Sequence, residues 1–86
     1  MTTYLITGAN RGLGWAMVQQ LAQAGETVFA GCRSPHRSAE LQILAAQNDT
    51  ITIVQLDVTN EHSVMAAAKA VSAETDKLDV LINGSG

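Results

Sequence analysis

Tyr4-Leu5-Ile6-Thr7-Gly8-Ala9-Asn10-Arg11-Gly12-Leu13-Gly14 is the stretch on which the architecture turns. A short apolar run ends in three glycines within seven residues, and a helical pattern follows at once, with Val18, Leu21 and Ala22 on one face and Gly25 as a stop signal. A strand that passes through a glycine turn directly into a helix opens a βαβ unit. The same alternation continues downstream. Thr27–Gly31, Ile51–Leu56 and Leu78–Ile82 are short, apolar and rich in β-branched residues, as parallel strands covered on both faces are. Ser34-Pro35 predicts the start of a second helix, a capping side chain followed by proline, with Leu41, Leu44 and Ala45 as its apolar stripe. Thr59 is placed to cap a third helix, with Glu61 in its first turn and Val64, Ala68 and Val71 facing inward. Four strands and three helices alternate, and no linker, repeat or low-complexity stretch divides residues 1–86, which read as one domain.

Composition narrows the class. The 86 residues are 47% hydrophobic and 15% charged, which fits an ordinary globular protein rather than a disordered one. The net charge is −3, and the five basic residues are scattered, so no stripe suited to nucleic acid is present. No apolar run approaches the length of a membrane span, and Met1-Thr2-Thr3 does not open like a signal peptide. The single cysteine, Cys32, agrees with a reducing compartment, and the chain reads as cytoplasmic. His36 and His62 have no partners at metal-ligand spacing, so no metal site is assigned. Cys32 reads as a small buried thiol or as the wall of a ligand pocket, and Trp15 as a helix-packing residue.

The glycine turn carries the chemistry. Where no Cβ intervenes, a pyrophosphate can approach the backbone, and the helix that follows offers free N–H groups and the positive end of its dipole. Gly8, Asn10, Arg11, Gly12, Leu13 and Gly14 are therefore the candidate dinucleotide-binding turn, and the lysine of a phosphate-loop nucleotidase is missing. About twenty residues further on, an NAD site sets an acid against the ribose hydroxyls. This chain has Cys32 and Arg33 there. A guanidinium favours a 2′-phosphate through charge-assisted hydrogen bonds of about 1.5–3 kcal/mol each, which points to NADP(H). Arg11 supplies a second cation near the same phosphate, and Ser34 either touches that phosphate or caps the helix.

With these residues in hand, the chain resembles the N-terminal half of a short-chain dehydrogenase/reductase along nearly its whole length. Thr7-Gly8-Ala9-Asn10-Arg11-Gly12-Leu13-Gly14 fits the family's T-G-x-x-x-G-x-G pattern, and Leu56-Asp57-Val58-Thr59 fits the segment after the third strand. The resemblance implies a partial Rossmann fold of the α/β class, a parallel sheet in the order 3-2-1-4 that stops before the fold's second half. It implies that Asp57 hydrogen-bonds the adenine and that Val58 lines its pocket, against the plainer alternative that Asp57 caps the next helix. Asn83 and Gly86 match the family's N-N-A-G motif and border the ribose, while Gly84 and Ser85 stand where the motif has asparagine and alanine.

The family's catalytic serine and its Y-x-x-x-K pair have no counterpart here. Tyr4, the one tyrosine, is followed four residues later by Gly8, and no tyrosine precedes Lys69 or Lys77 at that spacing. No catalytic residue and no substrate pocket is assigned. The expected function is the NADP(H)-binding portion of an oxidoreductase acting on carbonyls or alcohols; the alternative is a non-catalytic dinucleotide-binding module or a partner-dependent fragment. Right-handed crossovers put two helices on one face of the sheet and one on the other. The fourth strand is then an open edge for self-association or for a missing C-terminal half.

Overall fold

The computed structural model describes residues 2–84. Its elements are β1 (Thr3–Thr7), α1 (Gly12–Gln23), β2 (Thr27–Cys32), a single 3-10 turn (Pro35–Arg37), α2 (Ala39–Gln47), β3 (Ile51–Gln55), α3 (Glu61–Glu74) and β4 (Val80–Asn83). All pairings are parallel and the strand order is β3-β2-β1-β4, as expected. Parallel strands joined by helices bring the C-terminal ends of all four strands to one rim. The direction of winding reverses between β1 and β4, the place where open α/β sheets bind ligands.

Alternation along the strands separates two cores. Ile6, Val28, Ala30, Cys32 and Ile51 face α1 and α2 and meet Val18, Ala22 and Leu41. Phe29, Val54 and Leu56 face the other way and meet Ala67 and Val71 of α3. The second face is covered only in part: Leu5 is half-buried, and Leu81, its partner across β1–β4, is 64% exposed. The expectation that every strand is covered on both faces thus holds for β2 but not for β4.

Local chemistry explains most boundaries. Gly25 has φ +76°, and the amides of Gly25 and Glu26 donate to the carbonyls of Ala22 and Leu21, so α1 ends in a Schellman motif at the glycine the sequence marks. The start of α2 differs from the expectation. Ser34-Pro35 opens the short 3-10 turn, the Ser34 side chain caps nothing, and α2 begins after Ser38. The start of α3 differs too. Asn60, not Thr59, is the cap, its side chain accepting from the Ser63 N–H at 3.2 Å. Thr59 is instead drawn back to Asp57, whose Oδ1 accepts both its N–H and its hydroxyl. The stripe that α3 buries against the sheet is Ser63, Ala67 and Val71, leaving Val64 42% exposed and Ala68 on the solvent side. The fourth strand starts at Val80 rather than Leu78, because Asp79 works as a fastener: its Oδ2 accepts from the Thr3 N–H at 2.9 Å and its own N–H donates to the Thr3 carbonyl.

Candidate dinucleotide-binding site

A cleft of about 440 Å³ opens at the C-terminal rim of the sheet, lined by residues from every one of its loops. The glycine turn contributes Gly8, Asn10 and Arg11; the β2–α2 connection contributes Arg33, Ser34, Arg37 and Ser38; the segment after β3 contributes Leu56 to Thr59; and Gly84 closes the far side.

The three glycines of the turn serve different ends. Gly8 and Gly12 have φ of +60° and +59°, a conformation costly for any residue with a Cβ. Gly14 is needed for space. A Cβ there would lie 2.3 Å from the Gly8 carbonyl oxygen, so only glycine lets α1 pack directly on the end of β1. The turn is also tied to the sheet, with the Ala9 N–H donating to the Gly31 carbonyl at 2.9 Å. Arg11, extended at the N-cap, offers no side-chain acceptor to the first turn of α1, and that turn contains no acid. The amides at this end therefore face the rim with neither a side-chain cap nor a carboxylate competing for an anion.

Arg33 and Arg37, both exposed, line the same cleft from the β2–α2 connection, as Arg11 does from the glycine turn. Their backbone is held firmly. The Leu56 N–H donates to the Cys32 carbonyl at 2.8 Å, Gln55 Nε2 donates to the Arg33 carbonyl at 3.2 Å, and the Arg37 N–H donates to the Ser34 carbonyl at 3.0 Å. Gln55 is braced in turn by the Ser63 hydroxyl on α3, which also accepts from the Asp57 N–H at 2.8 Å. The bonds from Thr59, followed by the positive charge of Arg33, hold the Asp57 carboxyl below its ordinary value of 3.8, so it is a carboxylate at neutral pH. Both Thr59 bonds fall on Oδ1.

Of the residues singled out from sequence, Gly8, Asn10, Arg11, Arg33, Asp57 and Val58 meet in this cleft. Gly12, Leu13, Gly14 and Asn83 do not line it. Leu13 is 66% exposed, and Asn83 accepts a hydrogen bond from the Thr7 hydroxyl at 2.9 Å, bracing β4 to β1. Gly86 lies outside the described residues. Gly84 takes the place at the rim, its N–H on the Thr7 carbonyl at 3.0 Å, and a Cβ on it would lie 2.7 Å from that carbonyl oxygen and 2.8 Å from Gly14 Cα. Here the glycine that replaces the motif's asparagine suits its packing. Sequence reading passed over Arg37 and Ser38. The four-residue step from Arg33 to Arg37 was visible, but only the turn after Pro35 folds both arginines onto one wall. Cys32 is 1% exposed and sits behind Ser38, outside the cleft, which settles it as a buried thiol. Among the described residues no group of three or more metal-ligating side chains is found, and no helix is long and apolar enough to cross a membrane.

Comparison with known proteins agrees with this fold. Residues 2–86 match the short chain dehydrogenase family. An uncharacterised oxidoreductase of Schizosaccharomyces pombe is 40% identical over 84 residues, an alignment covering 96% of this chain and 33% of the relative. Among solved structures, the NADPH-bound carbonyl reductase from chicken fatty liver superposes with a TM-score of 0.93 at 42% identity, covering 100% of this chain and 35% of its own. The 3-ketoacyl-(acyl-carrier-protein) reductase from Brucella melitensis, complexed with NADH, gives a TM-score of 0.80 at 31% identity over 93% of this chain and 32% of its own. The chain thus spans about a third of the length of these relatives. Sheet order, glycine turn and family match agree over the whole length, and the chain belongs to the short-chain dehydrogenase family.

Proposed function

We propose that this chain is the cofactor-binding portion of an NADP(H)-dependent oxidoreductase that interconverts carbonyls and alcohols. The observation that carries the reading is that three arginines, Arg11, Arg33 and Arg37, line one cleft, with no carboxylate at the end of β2. The cleft suits the group in two further respects: Gly8 and Gly84 bare the backbone on its floor, and the first turn of α1 has no side-chain cap. Arg33 and Arg37 would hold the 2′-phosphate with Arg11 facing them, the glycine turn would receive the pyrophosphate, and Asp57 and Val58 would border the adenine. When bound, the nicotinamide cofactor supplies a hydride. These residues would bind and orient its adenosine end, and the acid that polarises a substrate carbonyl is what the family resemblance assigns to a Y-x-x-x-K pair that residues 1–86 do not contain. The NADPH-bound chicken carbonyl reductase supports the choice of cofactor, while the NADH complex of the Brucella reductase makes direct comparison necessary.

Titration of the chain with NADPH and with NADH, repeated with Arg33→Ala, tests it. Losing one charge-assisted contact worth about 1.5–3 kcal/mol should weaken NADPH binding about tenfold to hundredfold and leave NADH almost unchanged. Equal binding of the two cofactors by the unsubstituted chain, or a preference that survives Arg33→Ala, would overturn the assignment.

A further inference from the structure

The wall that carries Arg33 and Arg37 is a six-residue loop between β2 and α2, and such a loop would ordinarily wander. Ser38 sits where it could prevent this. It is both the residue that follows the 3-10 turn and the residue before α2, and at 7% exposure it is one of few buried polar residues among those described. A serine at a helix N-cap normally turns its oxygen to the free amides of the first turn. Ser38 makes no such bond. Its hydroxyl points backward to the Ser34 carbonyl at 3.1 Å, the same carbonyl that receives the Arg37 N–H, while the Ser38 N–H donates to the Pro35 carbonyl. The Gln42 side chain donates to that Pro35 carbonyl as well. On the core side Cys32 Sγ, 3.7 Å from the Ser38 oxygen, is a second acceptor within reach of the same hydroxyl.

A hydroxyl has one proton to give. Of its two acceptors the Ser34 carbonyl, at 3.1 Å, is closer and stronger than the thiol sulfur, so although Ser38 lines the cleft it cannot also donate to a phosphate without releasing the turn. We propose that Ser38 is a positioning residue for cofactor choice: by holding the Ser34 carbonyl it closes the 34–38 turn and keeps Arg37 on the same wall as Arg33, so that a 2′-phosphate meets a preformed pair of cations. Pro35 works to the same end, its fixed φ limiting the unbound loop to fewer shapes. The proposal rests on the NADP(H) reading above. The energetic logic is preorganisation, in which a bond that never touches the ligand removes the ordering cost of the groups that do.

The test is the ratio of NADPH to NADH affinity in the unsubstituted chain, Ser38→Ala, Ser38→Thr and Arg33→Ala, with hydrogen exchange of the Arg37 amide in the free proteins. Ser38→Ala should lower NADPH affinity about fivefold, the equivalent of one ordinary hydrogen bond, speed exchange at Arg37 and leave NADH binding unchanged. Ser38→Thr keeps the hydroxyl and should restore both. If Ser38→Ala fails to fold, Pro35→Ala loosens the same turn without emptying a buried position and should shift the ratio in the same direction. A loss of NADPH and NADH affinity by the same factor means a general structural role and overturns the proposal. A preference abolished by Arg33→Ala but untouched by Ser38→Ala overturns this proposal alone, whereas equal binding of both cofactors by the unsubstituted chain overturns the cofactor reading and this one with it.

Discussion

Replacing Gly14 by alanine should damage this protein far more than replacing Gly12, although the two glycines stand two residues apart in the same turn. At Gly14 an added Cβ would lie 2.3 Å from the Gly8 carbonyl oxygen, 2.9 Å from its carbon and 3.2 Å from Ala9 Cα. Nonbonded atoms settle near about 3.5–4 Å, so α1 would have to withdraw by about 1 Å. It has little room to do so. All three obstructing atoms are backbone, Ala9 is fully buried with its N–H fixed on Gly31, and Val18 one turn further along α1 is 0% exposed. The cost belongs at the upper end of the overpacking range, about 3 kcal/mol. At Gly12 nothing lies within 4 Å of the added Cβ, and the penalty is only that of φ +59° in a residue with a side chain, about 1 kcal/mol. The gap of about 2 kcal/mol corresponds to about 8–16 °C in melting temperature for a domain of this size. Thermal and urea unfolding followed by circular dichroism measures it. Equal losses, or a larger loss at Gly12, would refute the division between a glycine needed for space and one needed for conformation. Gly84→Ala supplies a control: its Cβ would meet Gly14 Cα at 2.8 Å, so the Gly14/Gly84 double variant should cost clearly less than the sum of the two singles.

Two other outcomes follow from packing and charge. Val71→Ala should cost about 1–3 kcal/mol in urea unfolding and Val64→Ala within about 0.5 kcal/mol, because Val71 is 5% exposed under the sheet while Val64 is 42% exposed; similar losses would mean the α3 stripe is misassigned. The Thr3 N–H and then Lys77 keep the Asp79 carboxyl below its ordinary value of 3.8, so its contribution is complete above about pH 4 and is lost as the pH falls through the lowered folded-state value. Melting temperatures of Asp79→Asn should accordingly fall less steeply than those of the unsubstituted chain as the pH is lowered below about 4, and parallel curves would exclude Asp79 as an acid-sensitive fastener.

Much of the fold was legible because hydrophobic period and punctuation are local. Gly25 ends α1 where its position after the apolar stripe said it would, and all four strands lie within two residues of their expected starts. The misreadings were also local in origin. Ser34-Pro35 and Thr59 are each acceptable helix starts taken alone, but Ser38 and Asn60 stand where the chain enters α2 and α3. What moved the cap of the third helix was competition. The Asp57 carboxylate captured Thr59, leaving Asn60 to cap; the buried face was set by packing of Ala67 and Val71 on the sheet, which brought in Ser63 rather than Val64, its polar side chain satisfied by Gln55 and Asp57.

The sequence by itself determined the strand–turn–helix alternation, the glycine turn and the presence of Arg33 where an acid would select NAD(H). Each follows from backbone conformation or side-chain charge, properties a residue carries with it. Only the tertiary structure decided that Arg37 shares a wall with Arg33, that Gly84 rather than Asn83 borders the cleft, and that Ser38 closes the loop instead of capping α2. Those outcomes depend on which groups from distant segments arrive together at one rim of the sheet. Each hydroxyl proton goes to a single partner, and which partner is within reach is fixed only when the chain has folded.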